Sequence, residues 1–539
     1  MSDAPKNKTT ATVPRLLRST SVVGGMTLLS RILGLTRDMV FARLFGAGLV
    51  MDAFFVAFKL PNIFRRFFAE GAFSQAFVPV FAEYDEQRSA EEVRQLVDRV
   101  AGTLGGVLLL FTALGVIAAP VLIAIFAPGF IEESGSGTDR YAMAVDMLRW
   151  TFPYLFFISM TALAGGILNT YHRFGVPAFS PVLLNLVLIV FAAFLAPAYE
   201  RPGMALAAGV FAAGMVQLLF MLPFLARLRL LPRPRWDSTH EGVRRVMRLM
   251  APALFGSSVA QISILLDTLI ASFLATGSIS WLYYSDRLME FPLGVFGIAL
   301  ATVILPNLSR QHATSSPAAF TATLDWAVRL VILIALPAAV GLGLLAGPML
   351  TTLFFGGQFA AADVEMATLS LMAYAFGLLG FTLVKILAPG YFARQDTRTP
   401  VKIGIIALAV NMALNILIVI PWAWSDLPGP HAGLALATSL TAFLNAGLLG
   451  IGLRRAGVWQ SRPGWGRFLM QVGAACGFMG ILLIEFVPPV GRWLEADLVT
   501  RCVWLAAAVI GGGIAYAASL LAVGVRPAAF RMKSTGTSL

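Results

Sequence analysis

Long apolar runs recur along the chain, separated by short polar segments. Each run has the roughly 20 residues that an α-helix needs to cross a hydrocarbon core of about 30 Å. We therefore expect an all-α polytopic membrane protein. The pattern predicts fourteen transmembrane helices, over residues 20–46, 51–83, 97–127, 141–170, 177–198, 203–226, 245–274, 279–308, 320–350, 362–391, 401–424, 432–453, 467–488 and 498–524.

Two segments separated by about half the chain resemble each other. "FGAGLVMDAFF" and "LATGSISWLYY" each combine a glycine turn, at Gly48 or Gly277, with a following aromatic pair. They predict two pseudo-repeated six-helix bundles around a central cavity, an arrangement found in many secondary transporters. The predicted segments are an N-terminal tail (1–16), a first lobe (17–228), a basic loop (229–242), a second lobe (243–455), two extra helices (465–525) and a C-terminal tail (526–539).

The charges support this topology. The chain has 539 residues, of which 58% are hydrophobic and only 13% charged, with a net charge of +12. The basic residues concentrate on alternate loops, for example at 227–248, 394–402 and 454–467. This is the positive-inside pattern, and it predicts that both termini are cytoplasmic. The basic excess is therefore topological, and we expect membrane lipids rather than nucleic acid as partners.

Motifs for enzymatic chemistry are absent from the sequence. No Lys follows a Gly, so there is no phosphate loop for ATP hydrolysis. The four His residues are scattered without metal-ligand spacing, and Cys476 and Cys502 share no motif. We expect a transporter without cofactor, metal or disulfide, driven by an ion gradient, the membrane potential or consumption of the product.

The first predicted helix carries charges in "SRILGLTRD", although each ionisable group in hydrocarbon costs on the order of 3 kcal/mol. Arg31, Gly34 and Asp38 share one helical face, and Arg37 is long enough to reach round to it. Two interpretations remain open from this helix alone. Either the charges line a binding site, or Arg31 and Asp38 form a structural ion pair while Arg37 extends toward the membrane interface.

The second predicted helix favours a water-lined site, because polar residues follow one stripe through its whole length. Arg65 lies off the stripe, although Pro61 could kink the helix and turn it inward. The stripe consists of Asp52, Lys59, Asn62, Arg66 and Glu70.

Helices seven, eight and ten carry further charges. In helix eight, "YYSDRLMEFP" holds Asp286, Arg287 and Glu290. Asp267 in helix seven and Lys385 in helix ten are single charges, and we expect structural pairing or ion coupling there rather than substrate binding.

The repeat predicts that these charges converge on the central cavity, where guanidinium groups suit a phosphate-bearing ligand. Six positive side chains face five negative ones, so the empty cavity would be nearly neutral. We therefore hypothesise that the acids hold the arginines in resting pairs, which a bound anion breaks. The cationic set is Arg31, Arg37, Lys59, Arg65, Arg66 and Arg287; the acidic set is Asp38, Asp52, Glu70, Asp286 and Glu290.

Four segments carry a resemblance to a known family. They are "SRILGLTRDMVFARLFGAG", "DAFFVAFKLPNIFRRFFAEGAFSQAFVPVFAEY", "WLYYSDRLMEFPLGVFGIALATVILPNLS" and "VKILAPGYFARQDTRTPVK". Together they strongly resemble the MurJ (MviN) family of lipid II flippases, within the multidrug/oligosaccharidyl-lipid/polysaccharide exporter superfamily. The similarity covers essentially the whole chain.

The resemblance implies an activity and a set of site residues. The substrate would be undecaprenyl-diphosphate carrying the disaccharide–pentapeptide of peptidoglycan, moved to the outer leaflet of the bacterial cytoplasmic membrane by alternating access. The family's essential arginines correspond to Arg31, Arg37, Arg65 and Arg287, whereas helical geometry alone favoured Arg66 over Arg65. Further positions within the family's motifs are Asp38, Asn62, Glu70, Ser280, Asp286 and Glu290.

The resemblance also implies partners. Helices thirteen and fourteen would form a groove for the polyprenyl tail, and the protein would act as a monomer alongside the cell-division and peptidoglycan-synthesis machinery.

Other functions remain open from the residues alone. They are a flippase for another undecaprenyl-diphosphate glycan, a cation-coupled drug exporter, a membrane-embedded glycan-lipid transferase and a structural scaffold. A drug exporter would more naturally have an aromatic, acidic cavity, and a transferase would need catalytic carboxylates facing the diphosphate.

Overall fold

Helices form nearly all of the ordered architecture in the computed structural model, which describes residues 13–66, 72–132, 139–314, 316–425 and 427–525. Within those ranges the only β-type pairing is an isolated bridge between Gly356 and Phe359. The helices up to the middle of the chain are α1 (Val13–Phe45), α2 (Leu49–Arg65), α3 (Ala72–Gln87), α4 (Ala90–Ile117), α5 (Ala119–Phe126), α6 (Gly129–Glu132), α7 (Arg140–Thr151), α8 (Tyr154–Thr170), α9 (Gly175–Val190), α10 (Pro202–Arg227) and α11 (Glu241–Ser272). Those that follow are α12 (Ser278–Pro292), α13 (Ile298–Ala313), α14 (Pro317–Leu344), α15 (Ala346–Leu353), α16 (Ala361–Phe392), α17 (Arg398–Ala423), α18 (His431–Arg455), α19 (Trp465–Phe486), α20 (Val490–Glu495) and α21 (Leu498–Ala522).

Several predicted helices are interrupted near a proline. The predicted fourth helix is divided into α7 and α8 beside Pro153, and the third into α4 and α5 just before Pro120. In the predicted eighth helix, α12 ends at Pro292 and a π-helical turn leads into α13. A proline lacks the backbone N–H and crowds the preceding turn, so the apolar pattern continues where the hydrogen-bond ladder does not.

Ten of the helices or helix pairs in the described ranges are long and apolar enough to cross a membrane. The chain is thus a multi-pass membrane protein, whereas the count of fourteen spans and their repeat arrangement stay predictions. The exposed surface of α21 shows the expected lipid-facing character, with Val503, Ile510 and Ile514 each at least 60% exposed.

The chain divides into two compact units. The first contains the described residues up to Phe45 together with Leu49–Gln261, and the second contains Gly46–Gly48 and everything from Ile262 onward. This boundary falls inside α11. The beginning of α11 contacts the first unit, where Arg245 forms an ion pair with Glu83 at 2.8 Å. The predicted segment bounds stay a prediction.

An aromatic column runs through the first unit along α3. Phe73, Phe77 and Phe81 are fully buried, and their successive ring centroids are 5.3 and 5.4 Å apart. The i, i+4 spacing places the three rings on one helical face, where they stack.

In the second unit, a buried carboxylate ties α14 to the segment that leads into α19. Asp325 is 1% exposed and accepts hydrogen bonds from Arg329 Nε at 3.0 Å and from Trp465 Nε1 at 2.8 Å. Arg329 also donates to the backbone carbonyls of Arg462 and Pro463, both at 3.2 Å. We refer to this arrangement as the Asp325 clasp.

The two cysteines lie in the second unit. Cys476 is buried, Cys502 is exposed, and both are free thiols.

Candidate functional site

The charged pair of α1 is formed by two consecutive residues. Arg37 donates from Nε and Nη2 to Oδ1 of Asp38, at 2.9 and 2.6 Å, and from Nη1 to Asn185 of α9 at 3.1 Å. Arg37 is 5% exposed and Asp38 fully buried. The interpretation in which Asp38 pairs with Arg31 and Arg37 extends toward the interface is therefore wrong.

Asn185 holds this pair against the neighbouring helix. Its side-chain amide also donates to the backbone carbonyl of Ser30 at 3.0 Å. A Cβ added to Gly34 would lie 3.6 Å from that amide, in ordinary van der Waals contact. The glycine thus faces α9, as expected for a small residue that permits close helix packing.

Arg31 differs from Arg37 in its surroundings. It is half-buried, and no hydrogen-bond or ion-pair partner for it lies within the described part of the chain. A half-buried guanidinium in an apolar helix needs water or an anion to satisfy its five donors. Arg31 is consequently available to a ligand without the loss of a side-chain contact within the described residues.

Asp52 lies inside the first unit rather than on a water-lined stripe. It is fully buried and forms an ion pair with Arg140, at 3.5 Å between Nη1 and Oδ2. Arg140 is itself 1% exposed, and its guanidinium lies 4.7 Å from the centre of the Phe130 ring. The charge partner of Asp52 is thus the first residue of α7. This end of α2 carries a packed ion pair.

The other end of α2 retains the polar character that was predicted. Lys59 and Asn62 are half-buried, and Arg65 Nε donates to Asn62 Oδ1 at 3.1 Å. Arg66 is exposed and makes a long hydrogen bond of 3.4 Å to Gln261 of α11. The two arginines therefore point to different neighbours, Arg65 along its own helix and Arg66 toward α11. Glu70 lies outside the described residues.

In the second unit, Arg287 is held by its own helix. Its Nη1 contacts Glu290 at 3.1 Å, its Nη2 donates to the Tyr283 hydroxyl at 2.9 Å, and the guanidinium lies over the Tyr283 ring. The i−4 and i+3 spacings bring both partners onto one face of α12. Asp286 is half-buried, and Ser280 is fully buried near the start of the helix.

Asp267 belongs to an amide cluster in the second unit. Asn415 of α17 donates to Asp267 at 2.8 Å and to Asn411 at 3.3 Å. Asn415 Oδ1 is buried and has no hydrogen-bond donor in the described ranges. Lys385, by contrast, is exposed on α16 with no ion-pair partner among the described residues, so the structural pair expected there is not formed within them.

Several contributing residues were not anticipated. Asn185 stands alone in the apolar stretch "SPVLLNLVLIV" and Asn411 and Asn415 stand four residues apart in α17. An isolated amide in a membrane helix is a signal in itself, because it must find a partner there. Arg140 gives no such signal in the sequence. It lies at the start of a helix, where an arginine exposed to solvent is equally common, so its burial could not be predicted.

The helices are apolar, and in both units they bury charged and amide side chains. These features define the class of the protein: it is a multi-pass α-helical membrane protein with internal ionic sites. The profile of a family described as "Lipid II flippase MurJ" matches residues 41–503. The chain belongs to the MurJ family, which confirms the resemblance predicted from its motifs.

Individual relatives agree with this assignment. A "Probable lipid II flippase MurJ" from Haemophilus influenzae is 48% identical over 510 residues, covering 93% of this chain and 98% of its own length. The "Lipid II flippase MurJ" of Burkholderia cenocepacia is 41% identical, covering 96% and 99%. Proteins named as flippases are transporters, so family membership confirms that this chain is a transporter rather than an enzyme.

Solved structures show the same fold. The structure described as "Lipid II flippase MurJ, inward closed conformation" superimposes with a TM-score of 0.75 at 25% identity, covering 92% of this chain and 97% of its own. An inward-facing multidrug resistance MATE transporter reaches 0.64 at 13% identity, covering 81% and 98%. The second likeness concerns the fold alone.

Proposed function

We propose that this protein moves lipid II across the bacterial cytoplasmic membrane, and that arginines within its bundles bind the diphosphate of the substrate. The observation that carries the proposal is Arg31, a half-buried guanidinium without a partner among the described residues, two turns from the Arg37–Asp38 pair. Together with membership of the MurJ family, it supports an anionic lipid as the ligand.

The chemistry of a diphosphate matches these groups. A guanidinium presents donors in a fixed fork that suits phosphate oxygens, and such charge-assisted hydrogen bonds are roughly twice as strong as neutral ones. Arg31 would bind first because nothing has to be displaced. Arg37 would follow by exchanging Asp38 or Asn185 for a phosphate oxygen. We propose Arg65, Lys59 and Asn62 on α2, and Arg66 beside them, as further polar contacts.

Arg287 is the corresponding group in the second unit. We propose that Glu290 and Asp286 keep it neutralised at rest and that the diphosphate replaces them as the substrate binds. A charge swap tests this: Arg287→Glu with Glu290→Arg preserves the pair, whereas each single change leaves two like charges a turn apart. The swap is expected to restore folding but not transport. Normal transport in the swapped protein would show that Arg287 does not bind substrate.

We further propose that transport proceeds by alternating access. A ligand shifts a conformational equilibrium only if it binds the two states with different affinity. The exchange of an internal carboxylate for a diphosphate supplies such a difference. The resting ion pairs stabilise the state without bound substrate, whereas the diphosphate stabilises the state in which these pairs are broken.

Asp267 is our candidate for ion coupling. Its carboxylate adjoins Asn415, whose buried Oδ1 has no donor in the described ranges, and oxygen ligands of this kind suit a small hard cation. Transport that varies with sodium concentration or pH in the wild type and loses that dependence in Asp267→Asn would support the assignment. Lys385, exposed on α16, is a weaker candidate for the same role.

The long tail of the substrate need not enter a polar site. We propose that it follows α19 and α21, whose exposed apolar side chains include Ile481, Ile484 and Phe486 on α19, each at least 67% exposed. The protein would act as a monomer beside the peptidoglycan-synthesis machinery, with both termini in the cytoplasm.

Depletion in cells tests the proposal as a whole. Loss of the protein should lower the amount of lipid II that an external probe or enzyme can reach, while total lipid II rises. A strain without any second flippase is required. Unchanged external lipid II in that strain would refute the proposed function, whereas altered lipid II synthesis without accumulation would point to a transferase.

A further inference from the structure

The connection between α10 and α11, residues 228–240, is attached along α4 by its backbone. Arg235 N donates to the carbonyl of Asp98 at 3.0 Å, and Arg233 N donates to the Asp98 carboxylate at 2.6 Å. Further along, Asp237 N donates to Thr103 Oγ1 at 3.2 Å. These three bonds hold the backbone of the connection against α4.

Two glycines of α4 make this close approach possible. A Cβ on Gly102 would overlap the backbone of Arg235, and a Cβ on Gly106 would overlap the Trp236 ring. Trp236 thus lies across Gly106 and yet remains 63% exposed. Its position is fixed on one side, and its other face is open to the surroundings.

Trp236 stands where α4 changes from charged to apolar. The first turns of the helix carry Arg94, Asp98 and Arg99, whereas residues 104–117 contain no charged side chain. One turn beyond Gly106 begins a stripe of exposed apolar residues, Leu109, Leu110, Leu114 and Ile117, each at least 54% exposed. Such a stripe on a membrane helix faces lipid. A tryptophan at its end occupies the level of the headgroups, where tryptophan is enriched.

The cations of the connection extend beyond this tryptophan. No acidic residue occurs between Arg227 and Arg235, and Arg229, Arg233 and Arg235 are all exposed. Two neighbouring acids are already engaged, because Asp98 is 7% exposed and bonded to the connection and Asp237 forms an ion pair with Arg99 at 3.3 Å. The outward surface of the connection is therefore cationic next to an aromatic ring.

We propose that residues 229–236 form a binding surface for anionic phospholipid headgroups of the leaflet next to the start of α4. Trp236 and the exposed Leu231 lie at the boundary between the headgroups and the upper acyl carbons, and the guanidinium groups of Arg229, Arg233 and Arg235 bind the phosphates. This surface is separate from the diphosphate ligands on α1 and α2 and does not require that they bind lipid II. That the leaflet is the cytoplasmic one follows from the proposed orientation.

Quenching of tryptophan fluorescence by brominated lipids tests the proposal on the full-length protein in nanodiscs without lipid II. The Trp236 signal is the difference between the wild type and Trp236→Phe. Brominated phosphatidylglycerol should quench it more than brominated phosphatidylcholine. We expect an association preference of about five-fold or more, which corresponds to the attraction of one basic residue near an anionic surface, about 1 kcal/mol.

The variant R229Q/R233Q/R235Q should lower this preference to about one. The matched control R310Q/R398Q/K402Q removes the same charge from the second unit and should retain it. Equal quenching by the two lipids in the wild type, or an unchanged preference in the first variant, would overturn the proposal. Thermal melting of each variant separates these outcomes from unfolding.

Discussion

Arg37 and Asp38 are neighbours in the chain and also partners in space, with the guanidinium donating twice to one carboxylate oxygen at 2.9 and 2.6 Å. Consecutive helical residues point about 100° apart, so this pairing requires the long arginine side chain to fold back round the helix. Asn185 fills the remaining side of the guanidinium. The pair is thereby preorganised in a buried position.

Breaking the Arg37–Asp38 pair should destabilise the protein. Asp38→Asn leaves a buried guanidinium without its counter-charge, and losing one partner of a buried pair costs roughly 3–5 kcal/mol. Replacing both residues by leucine should cost clearly less than the sum of Arg37→Leu and Asp38→Leu made singly, and denaturation of purified protein in detergent measures each value. Strictly additive effects would show that the two residues are not coupled in the folded state.

Arg31→Gln should affect transport without affecting folding. Because no partner within the described residues depends on it, the melting temperature should stay close to that of the wild type. Loss of charged hydrogen bonds worth about 1.5–3 kcal/mol should weaken substrate binding about ten-fold or more. Lipid II binding to the purified protein is the measurement, with Arg310→Gln on the exposed face of α13 as the control. Wild-type affinity in Arg31→Gln would remove this residue from the site.

Asp52→Asn should behave in the opposite way. The change leaves Arg140 buried with a neutral neighbour, so the amount of folded protein in the membrane and its melting temperature should both fall. Leu or Met at both positions should recover stability, because replacing a buried ion pair by packed apolar groups is often neutral or stabilising. If the double replacement folds and still supports growth of depleted cells, Asp52 has a structural role. Restored folding without growth would instead assign it to transport.

His240 should make stability depend on pH. Burial is the main cause that lowers the pKa of His240 below its usual value of 6.5, and the neighbouring Arg99 lowers it further, while Asp237 and Glu241 oppose the change. Below pH 6.5 the unfolded chain therefore binds a proton more readily than the folded protein, and stability falls with falling pH.

The melting temperature measured at pH 7.5 and at pH 5.5 checks this expectation. Wild type should lose more stability over that interval than His240→Gln, which has no ionisable group at the same place. An equal loss in both proteins would assign the pH dependence to other groups.

Much of the fold could be predicted because one physical requirement dominates it. A membrane helix must satisfy its own backbone hydrogen bonds and present apolar side chains over about 20 residues, and this produced helices close to the observed bounds, as for α10 and α18. The interruptions beside Pro153 and Pro292 were missed, since apolar periodicity continues across a proline. The contact of Arg245 with Glu83 joins residues far apart in the chain, and no local pattern encodes it.

The hardest feature of the candidate site to predict from the sequence was which charged residues pair with each other. Helical spacing correctly separated Arg31 from Arg37, but it could not show which of them folds back onto Asp38. Likewise, Asp52 shares a stripe with Lys59 and Asn62, and only the three-dimensional position of Arg140 explains why it is buried. The side chain that a charge meets across helices depends on tertiary packing, which one sequence does not contain.

The Asp325 clasp shows how the segment that follows α18 is attached to the rest of the second unit. Trp465 and the backbone before it belong to the immediate surroundings of a carboxylate that is 1% exposed. A chain ending at Arg455 would leave that carboxylate with Arg329 alone, in a pocket opened by the missing indole. The start of α19 therefore completes the surroundings of a carboxylate in α14, and α19 is an integral part of the packing of the second unit.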